Sequence, residues 1–278
     1  MTTYLVATDL SERGDRAVGR AFDLAARNGA DLVLTSIVDD TLPSDIAERL
    51  AEDIAARLAR MAAAVAGAGG VTHRVAVRIG DPADAIAALA SEEEASLLVL
   101  GLHRLRPLLD AMRDTTMQRV ARMSPCPVLL VREPVVGPYD TVVAGVDFSP
   151  AAAAAVRMAA RVAPAASIRP VHAMHVPYKG LMARSGTAAD YAPFRHEAEA
   201  ARDDWLAAEK LPEGLPEVQI AEGSVNDVLA RALQDGATLL ALGTHARSGL
   251  YGFIAGSHCT ALMRDPPCDL LIVRPGGA

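Results

Sequence analysis

The sequence predicts an α/β protein made of two tandem domains, each a doubly wound parallel sheet of five strands with helices on both faces. Two observations carry this reading. A segment from the middle of the chain recurs near its end without a gap. Throughout, β-rich runs alternate with helical ones, the pattern of parallel strands joined by right-handed crossovers.

The repeat is explicit. Gly101 to Arg132 reads GLHRLRPLLDAMRDTTMQRVARMSPCPVLLVR, and 142 residues later Gly243 to Arg274 reads GTHARSGLYGFIAGSHCTALMRDPPCDLLIVR. Nine of the 32 positions are identical, which marks a duplication. The starts match at an offset of 138, where Leu5-Val6-Ala7-Thr8-Asp9-Leu10-Ser11 corresponds to Val143-Ala144-Gly145-Val146-Asp147-Phe148-Ser149. Loops absorb the difference. The join falls at Val135-Val136-Gly137-Pro138, a turn-forming linker, and divides the chain into domains 1–136 and 139–278.

Within the first copy, Tyr4–Thr8 is a β-rich run, and Ser11 is placed to cap a helix running to Asn28-Gly29. Leu32–Val38 is almost continuously apolar, as a strand buried on both faces must be. Pro43 opens a long helix with Ile46, Leu50, Ile54, Leu58, Met61 and Val65 at spacings of three or four. His73–Arg78 alternates, and Gly80-Asp81-Pro82 starts a helix through Ala90. Leu97–Leu100 and Val128–Val131 complete five strands. The second copy repeats them at Val142–Val146, Ile168–Val176, Val218–Ala221, Leu239–Leu242 and Leu270–Val273.

Composition excludes several functions. The net charge of −7, with dispersed arginines and no basic run, argues against a nucleic-acid partner. Cys126, Cys259 and Cys268 form no CxxC pair and read as reduced thiols of a cytoplasmic protein. The start, MTTYLVATDL, has no signal-peptide pattern, and no apolar stretch is long enough to span a bilayer.

Ligands of such sheets sit beyond the carboxyl ends of the strands. In the second copy two features fall there. Asp147 ends the first strand, where a carboxylate can accept hydrogen bonds from a base amine or ribose hydroxyls; the plainer role is to close the strand–helix turn. After the fourth strand comes Gly243-Thr244-His245-Ala246-Arg247-Ser248-Gly249, followed by Gly256-Ser257-His258 opening a helix. Glycines admit close approach of a ligand, and a helix start offers free N–H groups to a phosphate.

Asp after strand one, then G-x-x-G, nine residues and G-S/T after strand four, resembles the universal stress protein family in its ATP-binding branch. The final-strand segments 125–132 and 267–274 are also similar to that family's. The resemblance spans nearly the whole chain twice. It implies a flavodoxin-like sheet of order 3-2-1-4-5 in each domain, with the final strands pairing so that the chain is its own pseudo-dimer, alone or within a homodimer. It further implies an adenine nucleotide, ATP alone or with Mg2+, bound by a stress-response sensor or regulator. Asp147 would meet adenine or ribose, and Val176 the adenine through its backbone. Gly243 and Gly256 would approach ribose and phosphates beside His245, Ala246 and Gly249, with Ser257 and His258 on the phosphates.

One departure is Ala246, which replaces the second Gly of G-x-x-G. If that position has φ > 0, Ala costs about 1 kcal/mol. The first copy departs further, with Arg104 at that position and Asp114-Thr115 in place of Gly-Ser. A carboxylate at the helix start repels phosphate, so the first domain reads as a structural partner.

The rival is a scaffold that binds no nucleotide and works through protein–protein association. A dedicated enzyme is disfavoured: the chain has no Walker A lysine motif, no nucleophile elbow and no persuasive triad, and slow ATP hydrolysis is the most that is expected. A metal site is disfavoured too. His172 and His175 are three apart on a predicted strand and point to opposite faces.

Overall fold

The computed structural model describes residues 2–66, 70–102, 116–174, 176, 192–244, 262–263 and 265–275. The chain divides into two compact units, one of residues 1–138 with 260–272 and 277–278, the other of 139–259 with 273–276.

In the first unit, β1 (Thr3–Ala7), α1 (Glu12–Asn28), β2 (Asp31–Val38), α2 (Ser44–Ala66), β3 (His73–Ile79), α3 (Pro82–Glu92), β4 (Leu97–Gly101), α4 (Thr116–Met123) and β5 (Val128–Val131) alternate as the periodicity predicts. The strand order is β3-β2-β1-β4-β5, all parallel. This is the expected 3-2-1-4-5 arrangement. Leu5, Val6, Leu98, Val99, Leu129 and Leu130 are fully covered by the helices, which is why these strands read as unbroken apolar runs.

Local chemistry sets the helix ends. Ser11 accepts the N–H of Gly14 and caps α1, and Gly29 closes it at φ 62, in the left-handed region where a Cβ is penalised. Asp81 caps α3 ahead of Pro82, whose missing N–H is no loss in a first turn. On α2 the buried positions are Ala47, Leu58 and Ala62, while Ile46 and Leu50 are exposed. The helix forms where the spacing puts it, but of the large residues in the predicted stripe only Leu58 is buried, beside Ala47 and Ala62.

In the second unit, β6 (Thr141–Gly145), α5 (Pro150–Val162), β7 (Ser167–Met174), α6 (Ala192–Ala208), β8 (Gln219–Glu222), α7 (Val225–Leu233) and β9 (Leu239–Gly243) repeat the pattern. The order is β8-β7-β6-β9, again parallel. Five consecutive alanines, Ala151–Ala155, are buried in α5, so this helix lies close on its sheet. Thr244 N–H donates to Val273 O at 2.8 Å, the counterpart of Leu102 N–H on Val131 O at 3.2 Å in the first unit.

The last strand, β10 (Asp269–Val273), belongs to the second sequence repeat, yet Asp269–Ile272 is part of the first unit. There it runs antiparallel to β5, with Leu271 opposite Leu129. The final strands therefore pair, as the family resemblance implies. Among the described residues, no helix is long and apolar enough to cross a membrane.

The caps give the first prediction. Ser11→Ala and Ser149→Ala each remove a side-chain acceptor from a helix start and should each lower stability by about 1 kcal/mol, read as a shift in the urea midpoint.

Candidate functional site

The same turn ends the first strand of each unit. In the first, Thr8 N–H donates to Thr35 O at 3.0 Å, carrying the β1–β2 ladder one residue further. Asp9 is exposed; its Oδ1 accepts the Ser11 N–H at 3.0 Å, and Leu10 between them stands at φ 60. In the second, Val146 N–H donates to Val171 O at 2.9 Å. Asp147 Oδ1 accepts the Ser149 N–H at 3.1 Å and its hydroxyl at 2.5 Å, with Phe148 at φ 59. A non-glycine residue in that region costs about 1 kcal/mol, and the Asp carboxylate bridging it holds the turn shut. The plainer role of these aspartates is thus real, and it leaves Asp147 on the surface at the carboxyl end of β6.

The fourth strand of each unit ends in a glycine for a reason unrelated to any ligand. A Cβ on Gly101 would lie 2.5 Å from the Arg13 carbonyl oxygen, and one on Gly243 would run into the Ala151 carbonyl. The first turn of α1 presses on the end of β4, and that of α5 on β9, backbone against backbone. In the first unit the strand ends open onto a cavity of about 280 Å³, lined by Asp9, Ser36, Gly101, Ile86, Met117 and Val120 among others. Joining α4 to the start of α3, Arg119 donates to Asp81 at 2.9 Å. That hydrogen bond, helped by the Asp84 N–H, holds the Asp81 carboxyl below the usual range.

In the second unit aromatic side chains brace the turn. His172 Nδ1 lies 2.8 Å from Val146 O; a carbonyl only accepts, so this nitrogen carries the proton. The ring stacks on Phe148 with centroids 4.3 Å apart. Trp205, buried on α6, donates Nε1–H to Ser149 O at 3.0 Å, its ring 6.0 Å from Phe148. Sequence reading missed this group. The signal was a lone Trp on a helix following the strand that carries His172.

The universal stress protein family profile matches residues 1–132 and again 138–274. The chain belongs to the universal stress protein family. Among solved structures, a universal stress protein from Archaeoglobus fulgidus DSM 4304 is 20% identical, with a TM-score of 0.70 over 99% of this chain and 98% of the other. A putative universal stress protein from Pseudomonas aeruginosa UCBPP-PA14 is 19% identical, with a TM-score of 0.64 over 99% and 94%. A functionally unknown protein from Pseudomonas aeruginosa PAO1 gives 19% and 0.64 over 99% and 93%. At such identities the likeness speaks to the fold. No curated protein matches the sequence.

Of the residues that the universal stress protein resemblance points to, Asp147, Val176 and Gly243 lie among the described ones. Val176 is buried with Met174 and Ala198, so its side chain belongs to the core and only its backbone is left for a ligand. His245, Ala246, Gly249, Gly256, Ser257 and His258 lie outside the described residues, as do Arg104, Asp114, His175 and Cys259. His172 packs against the turn, and no cluster of metal-ligating side chains occurs among the described residues. Cys126 and Cys268 are buried thiols at matching places, as the repeat predicts. Burial pushes the Cys126 thiol up, which leaves little reactive thiolate.

Two outcomes follow. Gly101→Ala and Gly243→Ala should each destabilise the protein by about 1–3 kcal/mol through backbone overpacking, seen as a lower melting midpoint with or without a nucleotide. Peptide mapping after brief treatment with a thiol reagent should find Cys126 and Cys268 unmodified in the native protein and modified in denaturant. Rapid native labelling of both would contradict their burial.

Proposed function

We propose that this universal stress protein is a cytoplasmic regulator that binds one adenine nucleotide, ATP alone or with Mg2+, in its second domain. The observation that supports the reading is the surface position of the Asp147 carboxylate at the carboxyl end of β6, the end of the sheet at which such folds take ligands. Val176, with only its backbone to offer, follows the neighbouring strand β7. The sequence adds Gly256-Ser257, an uncharged helix start suited to phosphate. The thiols Cys126 and Cys268, not joined in a disulfide, suit a reducing compartment. With no nucleophile elbow or Walker lysine, the reading is a sensor and not a dedicated enzyme.

The scaffold reading has one observation in its favour. Leu42, Ile46 and Leu50 are exposed at and beyond the start of α2, apolar surface that suits a protein partner.

Calorimetric titration with ATP separates the two readings. Wild type should bind one equivalent. Asp147→Ala should lose about 1.5–3 kcal/mol, the worth of a hydrogen bond to a charged group. Gly256→Asp, which copies Asp114 of the first domain, should abolish binding, and Asp9→Ala should leave it unchanged. Trp205, the single tryptophan, is hydrogen-bonded beside the Asp147 turn and should report binding by fluorescence. No heat with any nucleotide would favour the scaffold. Two equivalents, or equal losses from Asp9→Ala and Asp147→Ala, would move or double the site.

A further inference from the structure

Strand β5 has β4 on one side and β10 on the other. Its register with β10 centres on Leu129 opposite Leu271, which are equivalent positions of the two repeats. A strand so placed has an obvious competitor, because a second copy of β5 could run antiparallel in the same register with Leu129 opposite Leu129. Apolar side chains would not discriminate, since Val128-Leu129-Leu130-Val131 and Leu270-Leu271-Ile272-Val273 are nearly interchangeable in bulk. We infer that a buried ion pair, Arg20 with Asp269, selects the chain's own β10 as the partner of β5 and rejects a second copy of β5.

The contacts are asymmetric in the sense this requires. Arg20, on α1, is almost wholly buried, with its Nε 3.6 Å from Asp269 Oδ2; its guanidinium also donates to Gly137 O at 2.8 Å and lies 3.3 Å from Asp23. Asp269, 2% exposed, uses Oδ1 to accept the N–H groups of Arg132 at 2.7 Å and Glu133 at 3.2 Å, the two residues that follow β5. One carboxylate thus ties β10 to α1 and to the exit of β5. At the rim, Arg132 pairs with Asp265 at 2.7 Å.

The repeat offset gives what a second β5 would bring to the same places. Asp269 corresponds to Pro127, and Asp265 to Met123. Arg20 would lose Asp269 and meet a proline ring, and the Arg132 and Glu133 N–H groups would lose their acceptor. Removing one partner of a buried pair is unfavourable because the remaining charge stays desolvated, here with Asp23 and the Gly137 carbonyl left to face Arg20. Pairing of β10 with a second β10 fails from the other side, since the position of Arg20 is held by Met158 on α5. Only the mixed pairing of β5 with β10 sets a carboxylate beside Arg20 and an acceptor under the Arg132 and Glu133 N–H groups. A single polar contact at an apolar interface is an established way to fix the choice of partner.

Unlabelled and 15N-labelled chains are mixed, unfolded, refolded together and weighed by native mass spectrometry. Three variants accompany wild type: Asp269→Asn, which keeps an acceptor for the backbone but drops the charge; the double variant Arg20→Met with Asp269→Pro, which makes the repeats alike at both positions; and Arg49→Met, which breaks an exposed pair on α2 as a control. The expected result is a several-fold larger fraction of mixed-isotope oligomers for Asp269→Asn and for the double variant than for wild type, with Arg49→Met unchanged. A merely stabilising pair would lower the melting midpoint without moving that fraction. Should the double variant not refold, Asp269→Asn decides alone. Variants that fold and show the wild-type fraction of mixed species overturn the inference, and so does an equal rise with Arg49→Met.

Discussion

The first turn of α1 lies so close to the end of β4 that no side chain fits at Gly101, and α5 stands in the same relation to β9 at Gly243. Most of the geometry at the strand ends follows from this approach. Each helix can start there only because the preceding strand is turned sharply by Asp-X-Ser, with X in the left-handed region and the Asp carboxylate bridging it. The helix start is then fixed by a serine cap. A strand end, a surface carboxylate and a helix N-terminus are thereby brought together in each unit before any ligand is considered. The crevice is a product of folding, and in the first unit it is large enough to be a cavity.

Duplication within one chain lets the two strand ends diverge without loss of the fold, because the constraint is backbone packing and the divergence is in side chains. Around Asp9 the cavity is lined by Ser11, Arg13 and Ser36 beside aliphatic Ile86 and Val120. Around Asp147 the turn is clamped by Phe148, His172 and Trp205. The same freedom reaches the final strands, where Asp269 stands in the position of Pro127 and the buried Arg20 in that of Met158.

Sequence revealed the fold because its signals are local and repeated. Gly29 and Ser11 bound α1 where turn chemistry puts them, and strands buried on both faces leave unbroken apolar runs. Boundaries moved by a residue or two, as with β8 at Gln219–Glu222, where a half-exposed edge strand has no apolar run to mark it. Harder to read was which face of α2 meets the sheet. Its large residues suggest a stripe from Ile46 to Val65, of which Leu58 is buried while Ile46, Leu50 and Val65 are exposed and Ala47 and Ala62 are buried instead. Asp147 and Gly243 were legible as positions, yet both carry structural duties that the sequence pattern attributes equally well to a ligand. The ring stack on Phe148 and the Arg20–Asp269 pair depend on contacts distant in sequence, which no local pattern encodes.

Because Gly101 and Gly243 are both required by packing, the glycine that ends the fourth strand says nothing about nucleotide binding; the sequence differs between the repeats at Asp114-Thr115 and Gly256-Ser257, read above as a helix start, in a way a phosphate would feel. Two departures compete there. Ala246, if it must take φ > 0, costs about 1 kcal/mol, roughly a five-fold loss of affinity. A carboxylate about 4 Å from a phosphate costs about 4 kcal/mol at an effective dielectric near 20, closer to a thousand-fold. Salt reduces the second figure, but not to the first, because 4 Å is well inside the screening length. Asp114 therefore outweighs Ala246, and the second domain, with Gly256 in its place, is the one whose sequence still tolerates a polyanion.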